Sequence, residues 1–151
     1  MNHILYLSRA DVERLVDVDA LLDALAAALV QFSAGSTSVP PRVAATVPER
    51  GLLGAMVGYV PGAGLEAKLV SVFPQNERQG LPSHQALIAI FDERNGTPLA
   101  LMDGTYITAI RTGGAAAVAA RALARQDAKI LTILGAGVQG HSHLETFPRV
   151  R

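Results

Sequence analysis

A glycine-rich stretch close to the C-terminal end of the chain has the spacing of a phosphate-binding turn. Residues 135–140 read Gly-Ala-Gly-Val-Gln-Gly, follow an apolar run at 130–134 and lead into a segment, 138–147, with helical spacing. In a strand–GxGxxG–helix unit, the first glycine permits a tight turn, the second lets the backbone approach a pyrophosphate, and the third lets helix and strand pack closely. The free N–H groups at the helix N-terminus then face the phosphates. This pattern predicts a dinucleotide site, the alternative being a purely structural turn.

Three cations stand in apolar or small-residue surroundings, where an anion would compensate them. Arg42 follows the rigid Pro-Pro pair at 40–41, and its guanidinium is suited to gripping a carboxylate through two parallel hydrogen bonds. Lys68 lies among apolar residues of a strand pattern, where a lowered pKa would suit acid–base chemistry. Arg111 is near the start of a helix pattern, where a cation is unfavourable unless an anion compensates. The alternative is that all three are surface cations with snorkelling stems.

The histidines do not form a metal-binding pattern. His84 follows Ser83 in a loop before a strand pattern, and no further ligands accompany it. His141 and His143 are two residues apart, so on a helix they face different directions. The chain has no Cys, which excludes a disulfide framework and a Cys-type zinc site. We therefore predict no metal site.

Alternating helix and strand patterns supply the elements that position these residues. Ser8 is the expected N-cap of a short first helix, and either Asp17 or Asp19 caps a second helix that ends near Gly35. Residues 42–103 contain short apolar runs between turn signals, including Asn-Gly at 95–96, which predicts a largely antiparallel sheet. Further segments are expected as a helix at 108–124, a buried strand at 129–134 and a helix at 138–147.

The composition suits a globular protein and narrows its partners. Half of the 151 residues are hydrophobic, and the 13 basic and 13 acidic residues give no net charge. Neither a nucleic-acid footprint nor a polybasic membrane patch is present, so we predict no nucleic-acid and no membrane partner. The N-terminus lacks a secretory pattern, and the longest apolar stretch, 24–30, is far short of the roughly 20 residues of a membrane span. A cytoplasmic location is expected.

Five segments together resemble the ornithine cyclodeaminase/mu-crystallin family, and the resemblance covers nearly the whole chain. They are Pro-Pro-Arg at 40–42, Ala-Lys-Leu-Val-Ser at 67–71, Gly-Leu-Pro-Ser-His-Gln-Ala at 80–86, the stretch from Met102 to Thr112, and the glycine turn with its flanks at 134–142. Five segments in order and at the family's spacing are far more specific than the glycine motif alone.

The resemblance implies a role for each candidate residue. Arg42 and Lys68 match residues that hold the substrate carboxylate, and Lys68 also matches a candidate catalytic residue for proton transfer. Arg111 matches a position that contacts the cofactor and lies near the substrate. The remaining matches to cofactor contacts are Ser83, His84, Gly135, Ala136, Gly137, Val138, Gln139 and Gly140. A carboxylate and a pyrophosphate are both anionic, which favours the binding interpretation over surface cations.

The resemblance also implies a fold and an activity. The expected fold class is α/β, with a mixed α/β substrate-binding and dimerisation domain at 1–125 followed by the first β-turn-α unit of a Rossmann domain at 126–151. Such proteins use NAD or NADP to exchange hydride with the α-carbon of a small amino acid or its cyclic imine. The expected partners are a small-molecule carboxylate substrate and, in the full-length form, a second copy in a homodimer.

Length is the one departure from the resemblance. Family members are roughly twice as long, so the chain corresponds to the N-terminal half of one, and the acidic residue that would read the ribose and separate NAD from NADP is missing. We therefore expect this chain to be truncated and inactive alone, with a tightly bound dinucleotide ruled out. The leading activities are ornithine cyclodeaminase and ketimine or pyrroline-2-carboxylate reductase. The alternatives are an alanine dehydrogenase of the same family and a non-catalytic binding or dimerisation module.

Overall fold

A computed structural model of the protein describes residues 3–151, in which one mixed sheet lies beside four α-helices. The strands are β1 (Leu5–Leu7), β2 (Val43–Val47), β3 (Gly51–Val60), β4 (Gly64–Val72), β5 (His84–Phe91) and β6 (Pro98–Asp103). The helices are α1 (Arg9–Leu15), α2 (Val18–Ser33), α3 (Thr105–Leu123) and α4 (Val138–Thr146), with short 3-10 helices at Pro74–Gln79 and Phe147–Arg149. The predicted mixed α/β class is confirmed.

The sheet has the strand order β1-β6-β5-β4-β3-β2. Strands β2 to β6 pair antiparallel with their chain neighbours, as the turn signals predict, and the Asn-Gly turn at 95–96 joins β5 to β6. The sixth strand, β1, was not predicted, because its three residues are too few to show alternation. It pairs parallel to β6, with Tyr6 opposite Leu101.

The first two helices begin where their capping residues predict. The Asp11 N–H donates to Ser8 Oγ at 3.3 Å and the Ser8 N–H donates to Asp11 Oδ2 at 3.1 Å, which is a complete capping box for α1. Of the two candidate caps for α2, the structure selects Asp17, whose carboxylate accepts from the N–H groups of Asp19 and Ala20. Gly35 follows the helix with φ +73°, a left-handed conformation suited to glycine.

The two faces of the sheet differ in what covers them. We call the face that carries Lys68 and Ile88 the inner face, because Gly104, the N-cap of α3, packs against Ile88 there. Residues directly opposite in the register point to the same side, so Met56 and Met102 also belong to the inner face. The opposite face, here called the outer face, carries aliphatic side chains that remain exposed. They are Val43, Val47, Leu53, Val57, Leu69, Leu87 and Leu99.

Helix α3 packs against both α2 and α4, because two adjacent glycines on α3 let the two helices approach its backbone closely. A Cβ at Gly113 would lie 2.6 Å from the Ser142 carbonyl oxygen of α4. A Cβ at Gly114 would lie 2.7 Å from the end of the Leu25 side chain of α2. Thr146 of α4 is fully buried and its hydroxyl donates to the Ser142 carbonyl at 2.9 Å. The small residues of α3 therefore set where α4, and the glycine turn before it, lie over the sheet.

The predicted buried strand at 129–134 is wrong for this chain. The segment belongs to no sheet, and Ile130 and Leu134 are 90 % and 96 % exposed. A β-strand forms only where a neighbour accepts its backbone hydrogen bonds, and within residues 3–151 none pairs with this segment. The helix predicted at 108–124 begins three residues earlier, at Thr105. Over the described residues, no helix is long and apolar enough to span a membrane.

Candidate functional site

Lys68 is the buried charge at the centre of the candidate site. It lies in β4 opposite Met56 of β3 and Ile88 of β5, and only 8 % of its surface is exposed. Burial lowers the pKa of the Lys68 ammonium below its ordinary value, because a charge is poorly solvated there. The positive charges of Arg111 and Arg42 lower this pKa further, and the carboxylate of Glu66 partly opposes them.

The other two predicted cations lie within electrostatic range of Lys68. Arg42 comes just before β2, and Arg111 is in the second turn of α3; both side chains are exposed. Among the described residues, none of the three cations forms a salt bridge with a carboxylate. The structure thus brings together three cations from distant parts of the sequence, and their charge is available to an anionic ligand.

Strand β4 links two pockets on the inner face. Glu66, Lys68 and Val70 alternate with outward-facing residues and therefore point to the same side. Glu66 lines a first pocket of about 410 Å³, which Arg42 also lines. Val70 lines a second pocket of about 830 Å³. Lys68 lies between these two positions on the strand, although its own side chain lines neither pocket.

The second pocket contains most of the predicted cofactor contacts. Ser83 and His84, at the start of β5, line it together with residues of the glycine turn and of the α4 N-terminus. Those residues are Gly135, Gly137, Val138, Gln139 and Gly140. Two predicted contacts, Ala136 and Arg111, are not among its lining residues. The Ser83 hydroxyl and His84 Nδ1 are 3.2 Å apart, which fixes their mutual orientation.

The three glycines of the turn differ in what requires them. Gly135 has φ +103°, which side-chain-bearing residues rarely adopt. A Cβ at Gly140 would lie 2.5 Å from the Gly135 carbonyl oxygen, so the turn and α4 approach too closely for any other residue. A Cβ at Gly137 would meet nothing within 4 Å. Backbone conformation therefore explains why residue 135 is glycine, and close packing explains why residue 140 is glycine. The open space in front of Gly137 leaves room for a ligand.

The N-terminus of α4 is open to an anion. Its N-cap, Gly137, has no side chain, and no side-chain cap hydrogen bond is formed there. The first backbone hydrogen bond of the helix is from the His141 N–H to the Gly137 carbonyl, at 3.1 Å. The N–H groups of the first helical turn are thus free to donate to a pyrophosphate, with the partial positive charge of the helix end behind them. The residues present fit a dinucleotide at this position.

Sequence reasoning did not single out three residues that border the pockets. Glu66 lines the first pocket, and its position two residues before Lys68 in an alternating strand was the signal that could have found it. Tyr106 and Glu145 border the second pocket, where the Tyr106 hydroxyl donates to Glu145 Oε1 at 3.1 Å. Burial and the Glu145 carboxylate raise the pKa of Tyr106. No local pattern indicates this contact, since 39 residues separate the partners.

The histidines of α4 bond to the helix backbone. His141 Nδ1 is 3.0 Å from the Gly137 carbonyl oxygen, and His143 Nδ1 is 2.6 Å from the Gln139 carbonyl oxygen. Across residues 3–151, no group of three or more His, Cys, Asp or Glu side chains is arranged to hold a metal ion.

Comparison with known proteins identifies the family. The model of the ornithine cyclodeaminase/mu-crystallin family matches residues 2–151. The chain belongs to this family. The ketimine reductase mu-crystallin of Mus musculus is 40 % identical over 148 residues, which cover 94 % of this chain and 47 % of the mouse protein.

Two solved structures share the fold closely. The Δ1-pyrroline-2-carboxylate reductase of Thermococcus litoralis, in complex with NADH and L-proline, is 41 % identical with a TM-score of 0.92; the match covers 98 % of this chain and 46 % of that one. An archaeal alanine dehydrogenase dimer with bound NAD is 34 % identical with a TM-score of 0.93, again over 98 % and 46 % of the two chains. The chain spans about half the length of the curated relatives it matches.

Proposed function

We propose that this chain forms the substrate site and the pyrophosphate-binding turn of an NAD(P)-dependent enzyme. The enzyme exchanges hydride with the α-carbon of a small amino acid or of its imine. The observation that carries the proposal is the inner-face strand β4, on which Lys68 stands between the pocket of Arg42 and the pocket of the glycine turn. A substrate carboxylate held at Lys68 would bring its α-carbon to the border of the dinucleotide pocket.

Arg42 and Lys68 are proposed to hold the substrate carboxylate, and Arg111 adds positive charge from α3. A guanidinium matches a carboxylate through two parallel hydrogen bonds, which orients it as well as binding it. No described carboxylate forms a salt bridge with these cations. A substrate carboxylate would therefore not have to displace a carboxylate of the protein in order to bind. The ligand's negative charge would also relieve the mutual repulsion among the three cations.

Lys68 is proposed to transfer a proton as well. Its lowered pKa increases the fraction of neutral amine near physiological pH, and a neutral amine accepts a proton from the substrate nitrogen. In the reverse direction the ammonium returns this proton. A bound nicotinamide would supply the hydride acceptor or donor. Ser83, His84 and the N–H groups at the start of α4 are proposed to hold the dinucleotide, with Ala136 and Arg111 as further contacts.

A homodimer through the outer face is the proposed assembly. The exposed aliphatic side chains of that face are contributed by β2 to β6, including Val43 on β2, Leu69 on β4 and Leu99 on β6. An apolar sheet face of this kind is typical of a protein–protein contact. The alanine dehydrogenase with the same fold is described as a dimer, which supports a self-association of this type.

The test uses the protein expressed from its complete reading frame. Fluorescence titration with NADH and with NADPH measures cofactor binding and preference. Nicotinamide absorbance then follows reduction of pyrroline-2-carboxylate and oxidation of L-alanine. Conversion of L-ornithine leaves the nicotinamide unchanged overall, so it is followed by the release of ammonia and proline. The three assays separate the reductase, alanine dehydrogenase and cyclodeaminase activities. Catalysis of any of these, lost when Arg42 or Lys68 is replaced, supports the proposal. Tight carboxylate binding with no dinucleotide binding would instead identify a non-catalytic binding module.

A further inference from the structure

The second pocket has two walls that come from different parts of the chain. The first wall is the start of β5, with His84 on the strand and Ser83 just before it. The second wall is the glycine turn with the N-terminus of α4. Within the described residues no strand pairing joins the two walls, because the segment at 129–134 pairs with no strand. A dinucleotide that contacts both walls needs them at the correct separation, so other contacts must set it.

Tyr106 is fixed to the first wall through the two residues that precede it. The Thr105 hydroxyl accepts a hydrogen bond from the Ala86 N–H at 3.2 Å, and the Gly104 N–H donates to the Ala86 carbonyl at 2.8 Å. Ala86 is on β5, two residues after His84. The first turn of α3, which carries Tyr106, is therefore bonded directly to the strand that forms the first wall.

Tyr106 also contacts the helix that forms the second wall. Its hydroxyl donates to Glu145 Oε1 at 3.1 Å, and both side chains border the second pocket. Burial and the Glu145 carboxylate raise the pKa of Tyr106, which keeps the hydroxyl protonated as a donor. Glu145 lies about two helical turns, or about 10 Å, after the first residue of α4, Val138. Because a helix is stiff over this length, a contact that holds Glu145 also holds the glycine turn.

We infer that Tyr106 and Glu145 are positioning residues for the dinucleotide, and that their hydrogen bond sets the separation of the two walls. The inference deepens the proposed function and rests on it. The close approach of Gly113 to Ser142 fixes where α3 and α4 cross. The Tyr106 contact lies to one side of that crossing and resists rotation of α4 about it. Neither side chain has to touch the dinucleotide for this role.

Two other roles for these residues make different predictions. If Glu145 acted only as a negative charge near the phosphates, its removal would tighten dinucleotide binding by reducing repulsion. If the Tyr106 hydroxyl bound the dinucleotide directly, substitutions of the two residues would have independent effects that add. In the positioning role either substitution breaks the same contact, so the double variant binds no more weakly than each single variant.

The experiment is fluorescence titration of the protein from its complete reading frame with NADH and with NADPH. The variants are Tyr106→Phe, Glu145→Ala, the double variant, and Glu145→Gln, which keeps an acceptor oxygen without the charge. Tyr6→Phe is the matched control, because Tyr6 is 65 % exposed on β1 and lines neither pocket. Steady-state kinetics separate the KM values for dinucleotide and carboxylate substrate from kcat, and circular dichroism melts compare the stability of the variants.

We expect Tyr106→Phe and Glu145→Ala each to raise the Kd for the dinucleotide about three- to tenfold, the range of one lost hydrogen bond, and the double variant to raise it no further. Glu145→Gln should keep most of the affinity and Tyr6→Phe all of it. The KM for the carboxylate substrate, and kcat at saturating dinucleotide, should change little.

Three results would overturn the inference: unchanged dinucleotide affinity in Tyr106→Phe, tighter binding in Glu145→Ala, or additive effects in the double variant. Wild-type dinucleotide binding and turnover would still support the proposed function in each of these cases. Failure of the wild type to bind either dinucleotide would overturn both.

Discussion

Replacing Lys68 with methionine is predicted to stabilise the protein while it lowers activity. Methionine keeps the length and most of the packing of the lysine stem but removes the charge. Lys68 is 8 % exposed and lies between Met56 and Ile88. It has no salt bridge with a described carboxylate, so its ammonium is desolvated without a compensating partner.

The burial of Lys68 sets how much the substitution should stabilise the protein. Replacing buried ionic groups by apolar side chains of similar volume stabilises proteins by about 1–4 kcal/mol. The remaining exposure of Lys68 and the nearby Glu66 carboxylate reduce the penalty, so we expect the low end, about 1 kcal/mol. For a chain of this length that corresponds to a rise in Tm of about 2–4 °C.

The gain in stability from Lys68→Met should decrease as the pH rises. The folded-state pKa of Lys68 is lowered, so in the window between that pKa and the ordinary value of 10.5 the unfolded chain binds more protons than the folded one. Wild-type stability from this group therefore rises with pH through that window. The advantage of Lys68→Met should be complete at pH values below the folded-state pKa and should shrink as pH approaches the unfolded value.

Urea unfolding followed by circular dichroism at neutral and alkaline pH measures this difference. Lys129→Met is the matched control, because Lys129 is exposed and should change stability by less than about 0.5 kcal/mol. In the activity assay, Lys68→Met should also remove the basic limb of the pH–rate profile. A destabilised Lys68→Met variant, or an equal gain in Lys129→Met, would refute the argument that Lys68 is held desolvated for function.

Three other substitutions test the carboxylate site, the helix packing and the outer face. Arg42→Lys keeps the charge but loses the bidentate geometry, so the apparent KM for the carboxylate substrate should rise about tenfold with little change in kcat; unchanged kinetics would exclude Arg42 from substrate binding. Gly113→Ala should destabilise by about 1–3 kcal/mol because its Cβ meets the Ser142 backbone, whereas Gly114→Ala meets only the rotatable end of Leu25 and should cost less; equal melting temperatures would contradict this packing. Leu87→Lys places a charge on the outer face and should shift the protein towards monomer in light scattering, and an unchanged dimer would show that the contact lies elsewhere.

The parts of the fold predicted from sequence are those encoded by local chemistry. Ser8 and Asp17 satisfy helix N–H groups within three residues of themselves, so capping is visible in a short window of sequence. The hairpin at 95–96 is similarly local. The strand at 129–134 was predicted from its apolar composition, but strand formation depends on a partner, and composition does not reveal whether one is within reach.

The candidate site was predictable in residue type but not in arrangement. Arg42, Lys68 and Arg111 stand out in the sequence as cations in apolar settings. The pairing of β2 with β3 and of β3 with β4, together with the packing of α3, brings their charges into range of one another. Glu66 was missed because a carboxylate beside a predicted surface turn resembles any solvated residue. Its position beside the first pocket depends on the register of β4 against β3, which a local pattern does not reveal.

The position of the glycine turn relative to the sheet depends on α3 and not on strand pairing. The segment at 129–134 pairs with no strand, so α4 is located by the close approach at Gly113 and by the hydrogen bond from Tyr106 to Glu145. The same helix carries Arg111 towards Lys68. A shift of α3 along the sheet would therefore move the third cation and the dinucleotide pocket together. Helix α3 therefore positions both Arg111 and the dinucleotide pocket, which is a physical reason for the small residues in its middle. These residues allow contact between helix backbones, and such contact is stiffer than contact between flexible side chains.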